Sequence, residues 1–310
     1  MLRITSFPVP RFRLFTTFVL LAACSRGADE RPLRIVALNT VLTEIAHEVG
    51  GDQASVNGLV HPGVDPHAFE PTANDLRAIM QADLVLASGL QLESYLDRLV
   101  TRIDTKGRVL VVGDALPNPL SIPREHSDAA DGEKDPHWWH SIDNVLAATD
   151  LVRAKLVRLR PSAAAVFERN AHSYRQRLIA LKHWATREIA TLPPDRRQLV
   201  TSHDAFGYFA RDFGFELHAI SGLSTDSEPN AKHLAELINV IRSRRIAAVF
   251  AENNVNARVV ANLVAETGVT LGGTLYADGL GPVGSDASTY EKMYRHNVTA
   301  IVNGLKSETK

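Results

Sequence analysis

The sequence has 310 residues, of which 45% are hydrophobic and 22% are charged. These proportions are typical of a globular protein with about two domains, and they exclude collagen-like, low-complexity and largely disordered chains. Because 34 basic residues stand against 35 acidic ones, the net charge is only −1. The chain has no broad basic field, and we expect no nucleic-acid partner.

The first 24 residues have the composition of an export signal. Three arginines precede a short apolar run over 14–23, which leads to Cys24, the only cysteine in the chain. The run is too short to cross a bilayer. Residues 21–24 (LAAC) resemble a bacterial lipobox, so we expect 1–23 to be a lipoprotein-type signal peptide. Plain secretion and a membrane anchor helix are the alternatives.

Cleavage before Cys24 would make the lipidated cysteine the first residue of the mature protein. Residues 24–32 would then tether the folded part to the membrane, since several acyl chains on one residue give stable attachment. We therefore expect an exported, lipid-anchored protein, in the periplasm or on the outer face of the cell membrane.

Short apolar runs alternate with helical patterns in both halves of the mature chain. Runs of the kind that parallel sheets bury on both faces predict strands; they cover 33–38, 54–60, 83–87, 108–112, 198–201, 246–251 and 269–275. Helices are predicted near 40–49, over 92–100 and from about Pro229. The alternation predicts an α/β fold with two Rossmann-like lobes and mostly parallel sheets, over 33–160 and 193–310.

A long helical pattern over 161–192 separates the two predicted lobes. One apolar stripe recurs at steps of three and four residues; it consists of Phe167, Ala171, Tyr174, Leu178, Leu181 and Ala185. About 30 residues at 1.5 Å each give roughly 45 Å, enough to run along both lobes. We expect a rigid linking helix that permits little movement between the lobes; an ordinary core helix inside one domain is the alternative.

Three histidines and one aspartate occupy loops that we expect at one edge of the sheets. His67 lies beyond the run at 54–60, His137 lies in an Asp-Pro-His triplet, His203 follows the run at 198–201, and Asp278 follows the last run. Open α/β sheets bind ligands beyond the carboxyl ends of their strands, so the four side chains could meet in a cleft between the lobes. Three imidazoles and a carboxylate suit a divalent transition metal better than Mg²⁺ or Ca²⁺.

Acidic residues beside two of these histidines are candidates to orient the imidazole rings. They are Asp65, Glu70 and Asp135. Metal-bound histidines commonly donate their second ring N–H to a carboxylate, which fixes the ring and its tautomer.

At these loops the chain resembles the metal-binding lipoproteins that serve as solute-binding subunits of zinc and manganese ABC importers. The resemblance spans nearly all of the mature chain; it is carried by 65–67 with 70–71, 135–137 with Trp139, 203–209, 222–225 with 228–229, 251–253 and 276–278. It implies two α/β lobes joined by a long helix, with the metal between them, and ligands at His67, His137, His203 and Asp278. The implied partner is an ABC-importer membrane permease, and we expect a monomer.

Two features depart from the pattern of that family. The segment 124–134 is short and mainly acidic, whereas zinc-specific members often carry a long histidine-rich loop there. His140 stands where the family usually has an apolar residue. It could be an accessory ligand, a group that supports the ligands, or a surface residue.

The transported ion is predicted to be Zn²⁺ or Mn²⁺, with zinc favoured. Three nitrogens and one oxygen suit tetrahedral zinc, whereas a bidentate carboxylate would move the site towards the higher coordination number of manganese. A zinc enzyme with three histidine ligands and Asp278 as its base is one alternative, and a surface adhesin with a structural metal is another. We expect no enzymatic activity.

Overall fold

The computed structural model describes residues 31–103, 107–121, 134–225, 231–255 and 258–306. The predicted signal peptide, Cys24 and most of the predicted tether lie outside the described residues. So do most of the acidic segment 124–134 and the residues around Pro229.

The first half of the chain forms a four-stranded parallel sheet. Its strands are β1 (Leu33–Ala37), β2 (Ala54–Gly58), β3 (Leu84–Ala87) and β4 (Val109–Val111), in the order β2-β1-β3-β4. The connecting helices are α1 (Thr40–Gly50), α2 (Ala73–Gln81) and α3 (Leu96–Ile103). After β1 the chain adds β2 on one side of it, and then β3 and β4 on the other side. Parallel sheets bind ligands at the point between β1 and β3 where the strand order changes in this way.

The second half repeats this arrangement. Its strands are β5 (Gln198–Thr201), β6 (Glu216–Ala219), β7 (Ala248–Glu252) and β8 (Thr270–Leu275), in the order β6-β5-β7-β8 and again all parallel. The helices of this half are α6 (Gly207–Phe213), α7 (Ala231–Arg244), α8 (Arg258–Thr267) and α9 (Tyr290–Lys306). The predicted parallel sheets are thus confirmed.

In the chain between the two sheets, α4 (Ile142–Leu159) is followed by the long helix α5 (Ala164–Ile189). A single 3₁₀ turn at Pro161–Ala163 precedes α5, because proline suits the first turn of a helix. The 26 residues of α5 span about 39 Å. Every member of the predicted apolar stripe is completely buried, and α5 packs against α1, α4 and α9.

The largest hydrophobic cluster crosses the whole fold. It joins inward-facing residues of the first sheet, such as Ile35 and Leu86, through α5 to residues of the second half, such as Phe250 and Tyr290. Alternate residues of the central strands, such as Val36 and Val85, face a separate cluster on the other side of the first sheet. Central strands buried on both faces explain the continuous apolar runs in the sequence.

Three elements differ from the sequence-based expectation. Strand β8 lies at the edge of its sheet, with Leu271 53% exposed, so this predicted strand is not buried. Strand β6 lies at the opposite edge, and its polar residues gave no apolar run. Helix α3 begins at Leu96 instead of Leu92, and the chain before it forms a turn in which Leu90 and Gln91 have positive φ angles.

Among the described residues, no helix has both the length and the apolar character needed to cross a membrane.

Candidate metal centre

The loop after β2 carries His67. The carboxylate of Asp65 accepts a 2.8 Å hydrogen bond from the backbone N–H of His67, so it fixes the loop, whereas the ring was expected to be its partner. Asp65 also accepts a hydrogen bond from the hydroxyl of Thr225, in the second half of the chain. The side chain of His67 is 8% exposed.

His137 does not follow a strand. It immediately precedes a 3₁₀ turn over Trp138–His140. Both its backbone N–H and its ring Nδ1 lie 2.8 Å from Oδ1 of Asp135. An ionised carboxylate only accepts, so Nδ1 donates the hydrogen bond to Asp135 and Nε2 is the nitrogen that faces the cleft. The ring is completely buried.

His203 follows β5 and contacts the last residue of the neighbouring strand β7. Its backbone N–H donates to Oε1 of Glu252 at 3.1 Å, and its ring Nδ1 donates to Oε2. Both side chains are completely buried. The sequence analysis did not predict that Glu252 would hold His203. Its position as a carboxylate at the end of an apolar strand could have indicated a role at this edge of the sheet.

Asp278 lies in the loop after β8, and its backbone is held by two buried rings. Trp139 Nε1 and His140 Nε2 each donate to the carbonyl oxygen of Ala277 at 2.8 Å. The side chain accepts a 2.6 Å hydrogen bond from Asn254 Nδ2 at its Oδ2 atom. Its Oδ1 atom is buried and has no hydrogen-bond partner among the described residues.

The three Nε2 atoms and this free oxygen converge on one point. Asp278 Oδ1 lies 3.4 Å from His67 Nε2, 3.3 Å from His137 Nε2 and 3.4 Å from His203 Nε2. The His137 Nε2 atom lies 3.1 Å from His67 Nε2 and 3.4 Å from His203 Nε2. Zinc bonds of about 2.0–2.1 Å give a tetrahedron with edges of about 3.3–3.4 Å. Five of the six spacings are thus close to the edges of a zinc tetrahedron, and all four atoms lie within 4.8 Å of one another, close enough to share one transition-metal ion.

The charges of His137, His203 and Asp278 depend on one another. Burial opposes the charged form of His137, but Asp135 and Asp278 outweigh it and raise the pKa of His137 to about 9. Burial likewise opposes the ionised form of Asp278, yet His203 and the other histidines hold its pKa well below the usual value. Without a metal His137 and His203 therefore tend to keep a proton, which an incoming cation must displace.

Of two further residues that were expected near the ligands, Glu70 lies away from them and His140 supports one of their loops. Glu70 is 68% exposed and its nearest ionic partner is Arg98, at 3.7 Å. The expectation that it orients a ring is wrong, because Phe69 turns inward against Tyr95 and leaves Glu70 facing solvent. His140 is buried with its Nε2 on the Ala277 carbonyl, and its ring packs on Phe206 with the centroids 4.3 Å apart. It supports the loop before Asp278 and is not one of the four converging groups.

Comparison with known protein families matches residues 35–304 to the family described as "Zinc-uptake complex component A periplasmic", ZnuA. The chain belongs to the ZnuA family. Because the match includes both sheets and the long helix, the two-lobed fold with its linking helix is that of the family.

Individual relatives of this ZnuA-family chain cover most of its length. It is 36% identical to the manganese-binding lipoprotein MntA of Bacillus subtilis, over 94% of this chain and 97% of that protein. The solved structure of the periplasmic zinc-binding protein TroA from Treponema pallidum is 31% identical, with a TM-score of 0.82 over 90% of this chain and 100% of that one. A manganese-bound periplasmic metal-binding protein from Candidatus Liberibacter asiaticus is 29% identical, with a TM-score of 0.79 over 88% and 99%.

Proposed function

We propose that this protein binds a divalent transition-metal ion outside the cytoplasm and delivers it to the membrane permease of an ABC importer. The convergence of three Nε2 atoms on the unpartnered Oδ1 of Asp278 carries the proposal. The relatives MntA and TroA are a manganese-binding and a zinc-binding protein, which supports the same class of cargo.

We assign the ligands as His67, His137, His203 and Asp278. Four protein ligands complete a tetrahedral coordination, whereas a catalytic zinc keeps one position open for water. Binding and release are therefore favoured over catalysis. Zinc is the cargo we favour, because three nitrogens and one oxygen suit tetrahedral zinc and five of the six spacings are close to the edges of such a site, and manganese is the second candidate.

The remaining features of the chain fit this role. We assign residues 33–160 to one lobe, 161–192 to the linking helix and 193–310 to the other lobe, with a lipid on Cys24 as the membrane anchor. A monomer suffices, since all four ligands come from one chain.

Replacing His137 or His203 by alanine tests the ligand assignment. Each variant is expected to lose zinc affinity by more than about 100-fold, because even partners of ligands are worth about 10–100-fold. Competition titration with a chromophoric chelator measures the affinity, and circular dichroism checks that the fold is kept. Wild-type protein isolated from its own envelope, without added metal, is expected to carry one equivalent of zinc by elemental analysis.

His172→Ala is the matched control, because His172 is exposed on α5. It should bind zinc as tightly as the wild-type protein. Equal affinity and stoichiometry in the His137→Ala and His203→Ala variants would refute the site.

A further inference from the structure

The turn that follows β7 places an amide beside the candidate metal centre. Asn254 Nδ2 donates to Asp278 Oδ2 at 2.6 Å, while the Oδ1 atom of Asn254 is buried without a hydrogen-bond partner among the described residues. If the amide were turned by about 180°, its oxygen would face the Asp278 carboxylate, and two hydrogen-bond acceptors would repel each other. The hydrogen bond to Asp278 therefore fixes the orientation of the Asn254 side chain.

This contact gives the two oxygens of Asp278 different surroundings. Oδ2 is occupied by the amide, and Oδ1 faces the three imidazole nitrogens at 3.3–3.4 Å. The backbone on the N-terminal side of Asp278 is already held at the Ala277 carbonyl by Trp139 and His140. The hydrogen bond from Asn254 therefore restricts rotation of the Asp278 carboxylate about its Cβ–Cγ bond.

The turn that carries Asn254 is itself attached to the strand that leads to Asp278. The backbone N–H of Asn253 donates to the carbonyl oxygen of Leu275, the last residue of β8, at 3.1 Å. The amide and the carboxylate are therefore presented by two chain segments that are held together.

We propose that Asn254 is a positioning residue that holds Asp278 as a one-oxygen ligand and so favours four-coordinate ions over ions of higher coordination number. This inference rests on the proposed function, since it requires the metal to bind at Oδ1. A carboxylate that could turn would offer both oxygens, and five or six ligands suit Mn²⁺ better than Zn²⁺. The hydrogen bond to Asn254 would thus contribute to the choice between the two metals.

Removing the amide tests this role. In Asn254→Ala the affinity for Zn²⁺ is expected to fall about 10-fold while that for Mn²⁺ is retained, so their ratio falls about 10-fold. Competition titrations measure both affinities. Co²⁺ bound in place of zinc gives a second readout, because four-coordinate Co²⁺ absorbs visible light far more strongly than five- or six-coordinate Co²⁺. The variant is expected to lose most of that absorbance.

Asn253→Ala is the matched control, because Asn253 is exposed on the same turn and binds Leu275 through its backbone alone. Asn254→Leu, which has a similar size but no donor, repeats the test if alanine loosens the turn. An unchanged affinity ratio and Co²⁺ spectrum in both variants of Asn254 would overturn the inference, as would an equal loss for both metals. A wild-type protein that binds neither ion would instead overturn the proposed function.

Discussion

His137 and His203, which are both completely buried, are each held by a carboxylate on the nitrogen that faces away from the cleft. Asp135 accepts a hydrogen bond from Nδ1 of His137, and Glu252 accepts one from Nδ1 of His203. Both contacts leave Nε2 free to face the centre of the cluster. His67 differs, since its fixed partner acts on the backbone.

Glu252→Gln tests the importance of such a contact. The amide keeps the shape of the side chain but removes the negative charge that stabilises the ring of His203, so zinc affinity is expected to fall about 10–100-fold. Isothermal titration calorimetry with a competing chelator would measure it. Glu266→Gln, on the exposed surface of the same half of the chain, should change nothing, and equal affinities for both variants would contradict the supporting role of Glu252.

Sequence reasoning brought the four candidate ligands together but found only part of what holds them. Asp135 was identifiable because it lies two residues before its histidine. Glu252 and Asn254 act from a different strand and turn, and spacing along the chain does not show such contacts. Glu70 was misplaced for the converse reason, since closeness in sequence does not fix the direction of a side chain.

The long helix α5 is the element that the sequence predicted best. The predicted stripe of apolar residues lies on one face and all of its members are buried, so the period of 3.6 residues alone identified the helix. The central strands were recognisable as bounded apolar runs for a similar reason. Edge strand β6 was not, because its position in the sheet leaves polar residues exposed.

Leu178→Ala measures how strongly α5 is anchored. Leu178 is completely buried in the largest hydrophobic cluster, and its truncation is expected to lower the free energy of unfolding by about 3–5 kcal/mol. Chemical denaturation of the metal-free protein gives the value. Leu159→Ala is the matched control at the end of α4, where the leucine is 38% exposed. A cost for Leu178→Ala no larger than that of this control would show that α5 is loosely packed.

At the scale of the whole molecule, one carboxylate joins helices from both halves. Glu44 of α1 accepts a 2.8 Å hydrogen bond from the backbone N–H of Tyr290, the first residue of α9, and a 3.2 Å bond from the hydroxyl of Tyr174 on α5. Burial raises the pKa of Glu44 to about 7, and Glu48 and Glu291 add to the increase. Arg177 pairs with both of those neighbours, which moderates their effect.

The raised pKa makes stability depend on pH. Between about 4.5 and 7 the folded protein keeps a proton on Glu44 that the unfolded chain has lost, so the free energy of unfolding falls as pH rises through this window. Glu44→Gln imitates the protonated form and should avoid the loss, which is on the order of 2 kcal/mol for a partly accessible group.

Chemical denaturation of the wild-type protein and Glu44→Gln at pH 5 and pH 8 would measure the difference. The variant should gain stability relative to the wild-type protein at the higher pH. Glu236→Gln, at an exposed position on α7, controls for the general effect of removing a charge. A difference between Glu44→Gln and wild type that does not vary with pH would contradict the raised pKa.

The hydrophobic cluster that crosses the fold limits how relatives could exchange parts. Ile35 of the first half and Tyr290 of the second half belong to the same cluster. A chimaera that joins the first half of one relative to the second half of another within α5 would therefore combine core residues that do not match in shape. The loops that carry His67 and Asp278 extend from this base and are shaped mainly by hydrogen bonds. Changes confined to these loops would leave the hydrophobic cluster undisturbed, whereas an exchange of halves would not. Metal preference in this family could therefore diverge most readily through the loops.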